Sequence, residues 1–258
     1  MAEFTASDGV TLSYDDVGAP GGKPVLLIHG FASNRDEGWK RTGWYAAFER
    51  RGQRVIAPDT RGHGKSGKPH DPESYTPARR LADLTELLDH LGIGRADVVG
   101  YSMGARLALS LAMTAPDRIN HLVVGGIGER IFIPSPRDDA MGRAMEADDP
   151  AGITDPFLQS FRHFADEQGE DRLALAAASR AEGLAISADD LFAISAPTLV
   201  VAGGRDALAG DPQALADHIR GAKAVSLQGC DHFNAIPHAM LKATVFDFLD
   251  GYLDDPFG

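Results

Sequence analysis

Short apolar runs without polar interruptions recur along the chain, and they limit the folds open to it more than any other feature. A strand that is buried on both faces of a parallel sheet reads as a continuous apolar run, whereas a half-buried strand alternates. The runs are Val25–Ile28, Val55–Ala57, Val98–Val99, Leu122–Val124 and Thr198–Ala202, with Lys223–Leu227 as a weaker candidate for the last strand. An alternating segment, Val10, Leu12 and Tyr14, precedes them and predicts a half-buried antiparallel strand.

Helical patterns lie between the predicted strands. Thr76 is suited to cap a helix that has Pro77 at its first position, and Gly92 is suited to end it. Further helices are expected over residues 103–115, 211–219 and 238–253. Strands that alternate with helices predict an α/β fold, in which helices cover both faces of a mostly parallel sheet.

Residues 129–195 interrupt this alternation. The segment opens with Pro134 and Pro136, continues with helical patterns, and shows no evident strand. We expect a helical cap inserted into a core formed by residues 1–128 and 196–258. Phe157, Phe161 and Phe164 recur there at helical spacing, which fits either the core of the cap or a pocket wall.

Composition narrows the function classes. The 258 residues carry a formal net charge of −12, and no basic face stands out, which argues against a nucleic-acid partner. Cys230 is the only cysteine, so no intrachain disulfide is possible. We see no signal peptide and no apolar run near the ~20 residues of a membrane helix, and therefore expect a cytoplasmic protein without a membrane partner. The oligomeric state stays open.

The pentapeptide Gly100-Tyr101-Ser102-Met103-Gly104 lies where a predicted strand turns into a helix. A Gly-x-Ser-x-Gly turn of this kind exposes a serine nucleophile, and its flanking residues must be small. An acid and a histidine follow in the expected order, as Asp206 and His232, each after a later predicted strand. Loops at the carboxyl ends of parallel strands meet at one sheet edge, so the three side chains are expected to converge.

The acid of this triad has a competitor in the sequence. Asp231 directly precedes His232, but adjacent side chains rarely face one another, so we predict Asp206. Ser102 is then the nucleophile, His232 the base, and Asp206 the group that orients the imidazole. The backbone N–H groups of Phe31 and Met103 are the predicted oxyanion donors, since Phe31 follows a buried strand and Met103 opens a helix.

The sequence does not support nucleotide binding or metal binding. The segment Gly62–Gly67 matches the pattern Gly-x-Gly-x-x-Gly, but no helix follows it directly, and Asp59 stands where a phosphate loop needs glycine. We therefore interpret Asp59 and Arg61 as structural. No second His or Cys lies at ligand spacing from Cys230 and His232, so no metal or cofactor is expected.

Together these residues resemble the α/β-hydrolase superfamily along nearly the whole chain. The segments that carry the resemblance are His29-Gly30-Phe31, Asp59 to Ser66, Gly100 to Gly104, Asp206 and His232. The resemblance implies an eight-stranded, mainly parallel sheet, a helical cap after strand six, and hydrolysis without a cofactor. Many members have a further glycine after the Gly-x-Ser-x-Gly pentapeptide, where this chain has Ala105 followed by an unusual Arg106.

The expected activity is hydrolysis of a small carboxylic ester through an acyl-enzyme. Enol-lactone hydrolysis, carbon–carbon bond hydrolysis and cofactor-free perhydrolysis share the same triad and stay open. Epoxide hydrolases and dehalogenases fit less well, because they have an aspartate where Ser102 stands. A ligand-binding sensor on the same scaffold is the alternative from another class.

Overall fold

The computed structural model describes residues 1–133, 139–181, 183 and 186–254. In this part of the chain one eight-stranded sheet has the order β1-β2-β4-β3-β5-β6-β7-β8. The strands are β1 (Ala2–Thr5), β2 (Thr11–Gly18), β3 (Pro24–Ile28), β4 (Arg54–Pro58), β5 (Ala96–Tyr101), β6 (Ile119–Gly125), β7 (Thr198–Gly203) and β8 (Lys223–Leu227). Strand β2 is antiparallel to both β1 and β4, and all other pairs are parallel. The predicted fold class is confirmed.

Helices cover both faces of this sheet. The described helices are α1 (Trp44–Glu49), α2 (Pro77–His90), α3 (Met103–Thr114), α4 (Ala140–Glu146), α5 (Pro156–Gln168), α6 (Arg172–Arg180), α7 (Ala188–Leu191), α8 (Pro212–Ala216) and α9 (Ala239–Leu249). Helices α2, α3 and α8 pack on one face of the sheet, and α1 and α9 pack on the other. Successive strand residues point to opposite faces, so Leu26 and Ile28 pack in one apolar cluster and Val25 and Leu27 in another. Burial on both faces explains why these strands are apolar throughout.

Helix ends follow the sequence signals, with two differences. The Thr76 hydroxyl accepts a hydrogen bond from the N–H of Arg79, as expected of the residue that caps α2. Helices α8 and α9 are shorter than predicted. Helix α8 gives way to tight turns in which the N–H of Ile219 donates to Ala216, and α9 stops before Gly251, which has φ +81°.

The amino-terminal strands differ most from the prediction. Strand β1 has no counterpart among the predicted strands, and β2 is not half-buried, because Ser13 and Asp15 are buried along with Leu12 and Tyr14. The N–H of Ser13 donates to the hydroxyl of Ser66, and Asp15 forms an ion pair with the buried Arg35. Asp15, which an alternating pattern assigns to solvent, is therefore buried against a partner from a distant loop, whereas the hydroxyl of Ser13 has no hydrogen-bond partner among the described residues.

Between β6 and β7 the described residues form α4 to α7 and short 3₁₀ turns at Glu129–Phe132 and Pro150–Gly152. Pro134 and Pro136 lie outside the described residues. An apolar cluster joins these inserted helices to the loop after β3: Met145, Phe161, Ala165 and Leu175 pack with Phe31 and Ala32. The inserted helices thus lie against the carboxyl-terminal edge of the sheet. Among the described helices, none combines the length and the apolar character needed to cross a bilayer.

Candidate active site

Ser102 lies at a sharp turn between β5 and α3, and its backbone is strained. Its φ and ψ angles are 55° and −114°, outside the regions that a residue with a side chain normally occupies. A Cβ added at Gly100 would overlap the carbonyl oxygen of Gly104, and one added at Gly104 would overlap that of Ile28. The two glycines are therefore required by the close approach of β5, α3 and β3, which holds the serine at the sheet edge.

The three predicted triad residues come together in one hydrogen-bonded chain. His232 Nε2 lies 2.9 Å from Ser102 Oγ, and His232 Nδ1 lies 2.8 Å from Asp206 Oδ2. A carboxylate only accepts, so Nδ1 carries the proton and Nε2 is left to accept from the serine hydroxyl. Asp206 and His232 are both buried. This arrangement suits the removal of a proton from Ser102 as it attacks a carbonyl.

The second oxygen of Asp206 is also satisfied. Oδ1 accepts from the N–H groups of Leu208 and Ala209, each at 3.0 Å. These bonds fix the orientation of the carboxylate toward His232.

Asp231, the competing acid, has different partners. Its Oδ1 accepts from the N–H groups of Phe233 and Asn234, and its Oδ2 accepts from the Asn234 side chain. The carboxylate of Asp231 thus stabilises its own turn, and Asp206 is the acid that reaches the imidazole.

The predicted oxyanion donors flank the serine. Gly30 approaches so closely that an added Cβ would lie 3.4 Å from the Cβ of Ser102. Phe31 follows it, and Met103 begins α3. Neither the N–H of Phe31 nor that of Met103 donates to a partner among the described residues. Both donors are therefore available to an oxygen near Ser102.

His29 and His63 support the loop that carries Phe31. The Nδ1–H of His29 donates to the carbonyl of Gly30 at 2.8 Å, and its Nε2 accepts from the N–H of Thr60. Burial lowers the pKa of both imidazoles, that of His63 well below its ordinary value, so both stay neutral. The two rings pack edge to face with centroids 5.2 Å apart.

The glycine-rich segment Gly62–Gly67 is a structural turn. Arg61 donates two 2.7 Å hydrogen bonds to Asp83, and Asp59 pairs with Arg35. At Gly64 an added Cβ would overlap the carboxylate of Asp59. Asp59 and Arg61 thus have the structural partners that we expected of them.

Aromatic side chains border the triad from two directions. Phe233 follows His232 and contacts its ring with centroids 5.5 Å apart. From the inserted helix α5, Phe161 contacts both Phe31 and Phe233, at 6.0 and 5.8 Å between centroids. Phe161 is buried, whereas Phe233 is 46% exposed. An apolar wall next to the triad follows from these contacts.

Two contacts of the site have no signal in the sequence. The Tyr101 hydroxyl donates to the carbonyl of His232, and Glu170 of the inserted segment accepts from Asn34 in the loop after β3. Tyr101 occupies a variable position of the pentapeptide, and Glu170 belongs to no motif. Arg106, which stood out in the sequence, is partly buried, and among the described residues no carboxylate pairs with it.

Comparison with known proteins agrees with this architecture. The family model of the alpha/beta hydrolase fold matches residues 23–162, more than half of the chain. The 2-hydroxymuconate semialdehyde hydrolase of Pseudomonas putida is 32% identical over 237 residues, which cover 84% of this chain and 83% of that protein. The chain therefore belongs to the α/β-hydrolase family.

Other relatives extend the comparison. A putative 2-succinyl-6-hydroxy-2,4-cyclohexadiene-1-carboxylate synthase of Bacillus subtilis is 36% identical over 121 residues, 47% of this chain, and the chain spans only 42% of that protein's length. The crystal structure of an enol-lactonase from Burkholderia xenovorans superimposes with a TM-score of 0.80 at 25% identity, covering 96% of this chain and all of that one.

Proposed function

We propose that this protein is a serine hydrolase that cleaves a small carboxylic ester through an acyl-enzyme intermediate. The observation that carries the proposal is the continuous hydrogen-bonded chain Ser102–His232–Asp206 at a strained strand-to-helix turn. A serine hydroxyl is a weak nucleophile unless a base takes its proton, and this chain supplies the base together with the acid that orients it.

In the proposed mechanism Ser102 Oγ attacks the ester carbonyl while its proton passes to His232 Nε2. Asp206 stabilises the imidazolium that forms, and the N–H groups of Phe31 and Met103 bind the oxyanion. The C–O bond then breaks, and the leaving alcohol takes the proton from His232. A water molecule, deprotonated by His232, then attacks the acyl-enzyme. The bond between the acyl carbon and Ser102 Oγ breaks, Oγ takes the proton back from His232, and the acid is released.

We further propose that residues 129–195 act as a cap over the core formed by 1–128 and 196–258. The contact of Phe161 with Phe31, which joins α5 to the loop of the proposed oxyanion donor, supports this role. The cap would give the acyl or alcohol part of a small ester an apolar wall, whereas no residue of the mechanism requires a cofactor.

Hydrolysis of a carbon–carbon bond or an enol-lactone is the second candidate. It is favoured by the similarity to the 2-hydroxymuconate semialdehyde hydrolase and to the enol-lactonase. The same triad would serve, because both reactions also generate an oxyanion that the two N–H groups would bind.

One experiment tests the chemistry and separates the candidates. A fluorophosphonate probe should label Ser102, identified by mass spectrometry of the peptide, and Ser102→Ala should prevent labelling. Values of kcat/KM for p-nitrophenyl esters, an enol-lactone and a 2-hydroxy-6-oxodienoate then rank the substrate classes. A label on another residue, with Ser102→Ala still active, would refute the proposal, and absence of both labelling and turnover would favour a ligand-binding protein.

A further inference from the structure

Glu170 is a buried carboxylate that takes no part in the proposed mechanism. It is 8% exposed and lies between α5 and α6, where Gly169 ends one helix and Asp171 caps the next. Among the described residues no Lys, Arg or His forms an ion pair with it. A buried carboxylate without a cation destabilises the folded protein unless hydrogen bonds offset its lost hydration, so its partners indicate why it is there.

Both side-chain hydrogen bonds of Glu170 leave the inserted helices and reach the core. Oε1 accepts from the Asn34 side-chain amide at 2.9 Å, and Oε2 accepts from the backbone N–H of Gly64 at 2.8 Å. Its own backbone N–H, in contrast, donates to Ala165 within the inserted segment. Glu170 is thus fixed to α5 by its main chain and to two core loops by its carboxylate.

Each of the two core loops is connected to the proposed oxyanion donor Phe31, one along the chain and the other by a hydrogen bond. Asn34 lies three residues after Phe31 and directly follows a turn that contains Phe31, which is closed by a hydrogen bond from the N–H of Ser33 to the carbonyl of Gly30. The loop after β4 contains both Gly64 and Thr60. The N–H of Thr60 donates to Nε2 of His29, which lies two residues before Phe31. A displacement of either contact would therefore move the backbone on one side of the Phe31 N–H.

We infer that Glu170 is a positioning residue: the inserted helices complete the oxyanion site by holding Asn34 and Gly64, and thereby the Phe31 N–H, through this carboxylate. The inference rests on the proposed serine hydrolase chemistry. It deepens that proposal, because it gives the inserted segment a role in stabilising the transition state in addition to its contact with substrate. The effect acts through the backbone of Phe31, and Glu170 itself touches no reacting atom.

The test compares a ligand that mimics the oxyanion with one that does not. An alkyl trifluoromethyl ketone adds to Ser102 and forms a tetrahedral oxyanion, whereas the product alcohol binds without one. In Glu170→Ala we expect the inhibition constant of the ketone to rise about 10- to 100-fold, with an equal fall in kcat/KM, while that of the alcohol changes little. All values are expressed per active site, counted by fluorophosphonate titration.

His70→Ala provides the matched control. His70 Nε2 lies 3.0 Å from Asp171 Oδ2, so this variant removes a neighbouring contact between the inserted helices and the core that does not involve Asn34 or Gly64. We expect its ketone inhibition constant to equal that of the wild type. Glu170→Gln keeps the volume and one acceptor, and should recover part of the loss. If Glu170→Ala does not fold, Glu170→Gln takes its place in the comparison with the wild type and His70→Ala.

A double mutant separates positioning from general loosening. If Asn34 transmits the effect, Glu170→Ala should raise the ketone inhibition constant less in the Asn34→Ala variant than it does in the wild type. The inference is overturned if Glu170→Ala lowers only the melting temperature or the fraction of active sites, with wild-type kcat and ketone inhibition per site. It is also overturned if His70→Ala has the same effect as Glu170→Ala. Failure of the proposed function would show earlier, as absence of fluorophosphonate labelling in the wild type.

Discussion

The hydroxyl of Tyr101 donates a 2.7 Å hydrogen bond to the backbone carbonyl of His232. The residue before the proposed nucleophile thereby holds the main chain of the proposed base, 131 positions further along the sequence. An added Cβ at Gly125 or Gly126 would overlap the Tyr101 ring, so the strand next to β5 also fixes its orientation. The distance between Ser102 and His232 therefore depends on a contact outside the triad.

Tyr101→Phe should weaken catalysis as well as the fold. Loss of the hydroxyl removes one buried hydrogen bond, about 1 kcal/mol of the free energy of unfolding, and frees the His232 backbone, so we expect kcat to fall about three- to tenfold. Tyr45→Phe is the control, since its buried hydroxyl bonds to Asp15, which is not a triad residue. It should lower stability in urea denaturation and leave kcat per active site unchanged. Equal losses of kcat in both variants would contradict a specific role of the hydrogen bond between Tyr101 and His232.

Substitutions of Ser102 should separate activity from stability. Both Ser102→Ala and Ser102→Gly should lower kcat by about 10⁴ to 10⁶, since the nucleophile is gone. Glycine tolerates the positive φ of this position, whereas alanine keeps the strain, so the glycine variant should be more stable by about 1 kcal/mol. Chemical denaturation of the two variants measures the difference. A more stable alanine variant would mean that the turn is not strained.

The acid of the triad is tested by a pair of neutral substitutions. Asp206→Asn should lower kcat by about 10⁴, because an amide in contact with His232 Nδ1 misorients the imidazole. Asp231→Asn should cost far less in kcat, because its carboxylate bonds to the turn at Phe233 and Asn234. Steady-state kinetics on one ester decide between them, and the reverse ranking would refute the assignment of Asp206.

The apolar wall beside the triad predicts that a substitution of Phe161 changes the preference for the length of the acyl chain of the ester. Truncation by Phe161→Ala removes the ring that contacts Phe31 and Phe233, so the ratio of kcat/KM for p-nitrophenyl hexanoate over acetate should rise several-fold. This ratio does not depend on the fraction of folded enzyme. Phe192→Ala, at an exposed position after α7, is the matched control and should leave the ratio unchanged. An unchanged ratio in Phe161→Ala would place the substrate elsewhere.

Stability in acid should depend on the buried His63. Its ring is 1% exposed, Nδ1 donates to the carbonyl of Arg61, and burial holds its pKa well below the ordinary value. The unfolded chain binds a proton near pH 6.5, and the folded protein does not, so unfolding takes up a proton in mild acid. The contribution of His63 is therefore fully present above about pH 6.5 and is lost as the pH falls toward the folded pKa, by up to about 1.4 kcal/mol per pH unit.

Urea denaturation between pH 5 and 8 measures this slope. His63→Gln should make the free energy of unfolding less dependent on pH below about 6.5. His29, whose pKa burial also lowers, should preserve part of the slope. A slope unaffected by His63→Gln would mean that the imidazole is protonated in the folded state.

The sequence predicted the parts of the molecule that depend on local pattern. The buried strands are readable because burial on both faces demands continuous apolar residues, as in Val25–Ile28, and parallel strands bring Ser102, Asp206 and His232 to one edge. The burial of Asp15 could not be predicted from the sequence pattern, because it depends on an ion pair with Arg35 from a distant loop. The same holds for the contact between Glu170 and Asn34, 136 positions apart, since no period or motif marks either residue.

The close packing at Gly100 and Gly104 bears on how a new catalyst would be engineered from this scaffold. Because any side chain there would overlap a backbone carbonyl, random libraries that include these codons should yield mostly inactive clones. Surface positions of α5, such as Phe157 at 43% exposure, meet no such obstacle. Screening effort for altered selectivity is therefore best directed at the helices between β6 and β7, with the turn around the serine held constant.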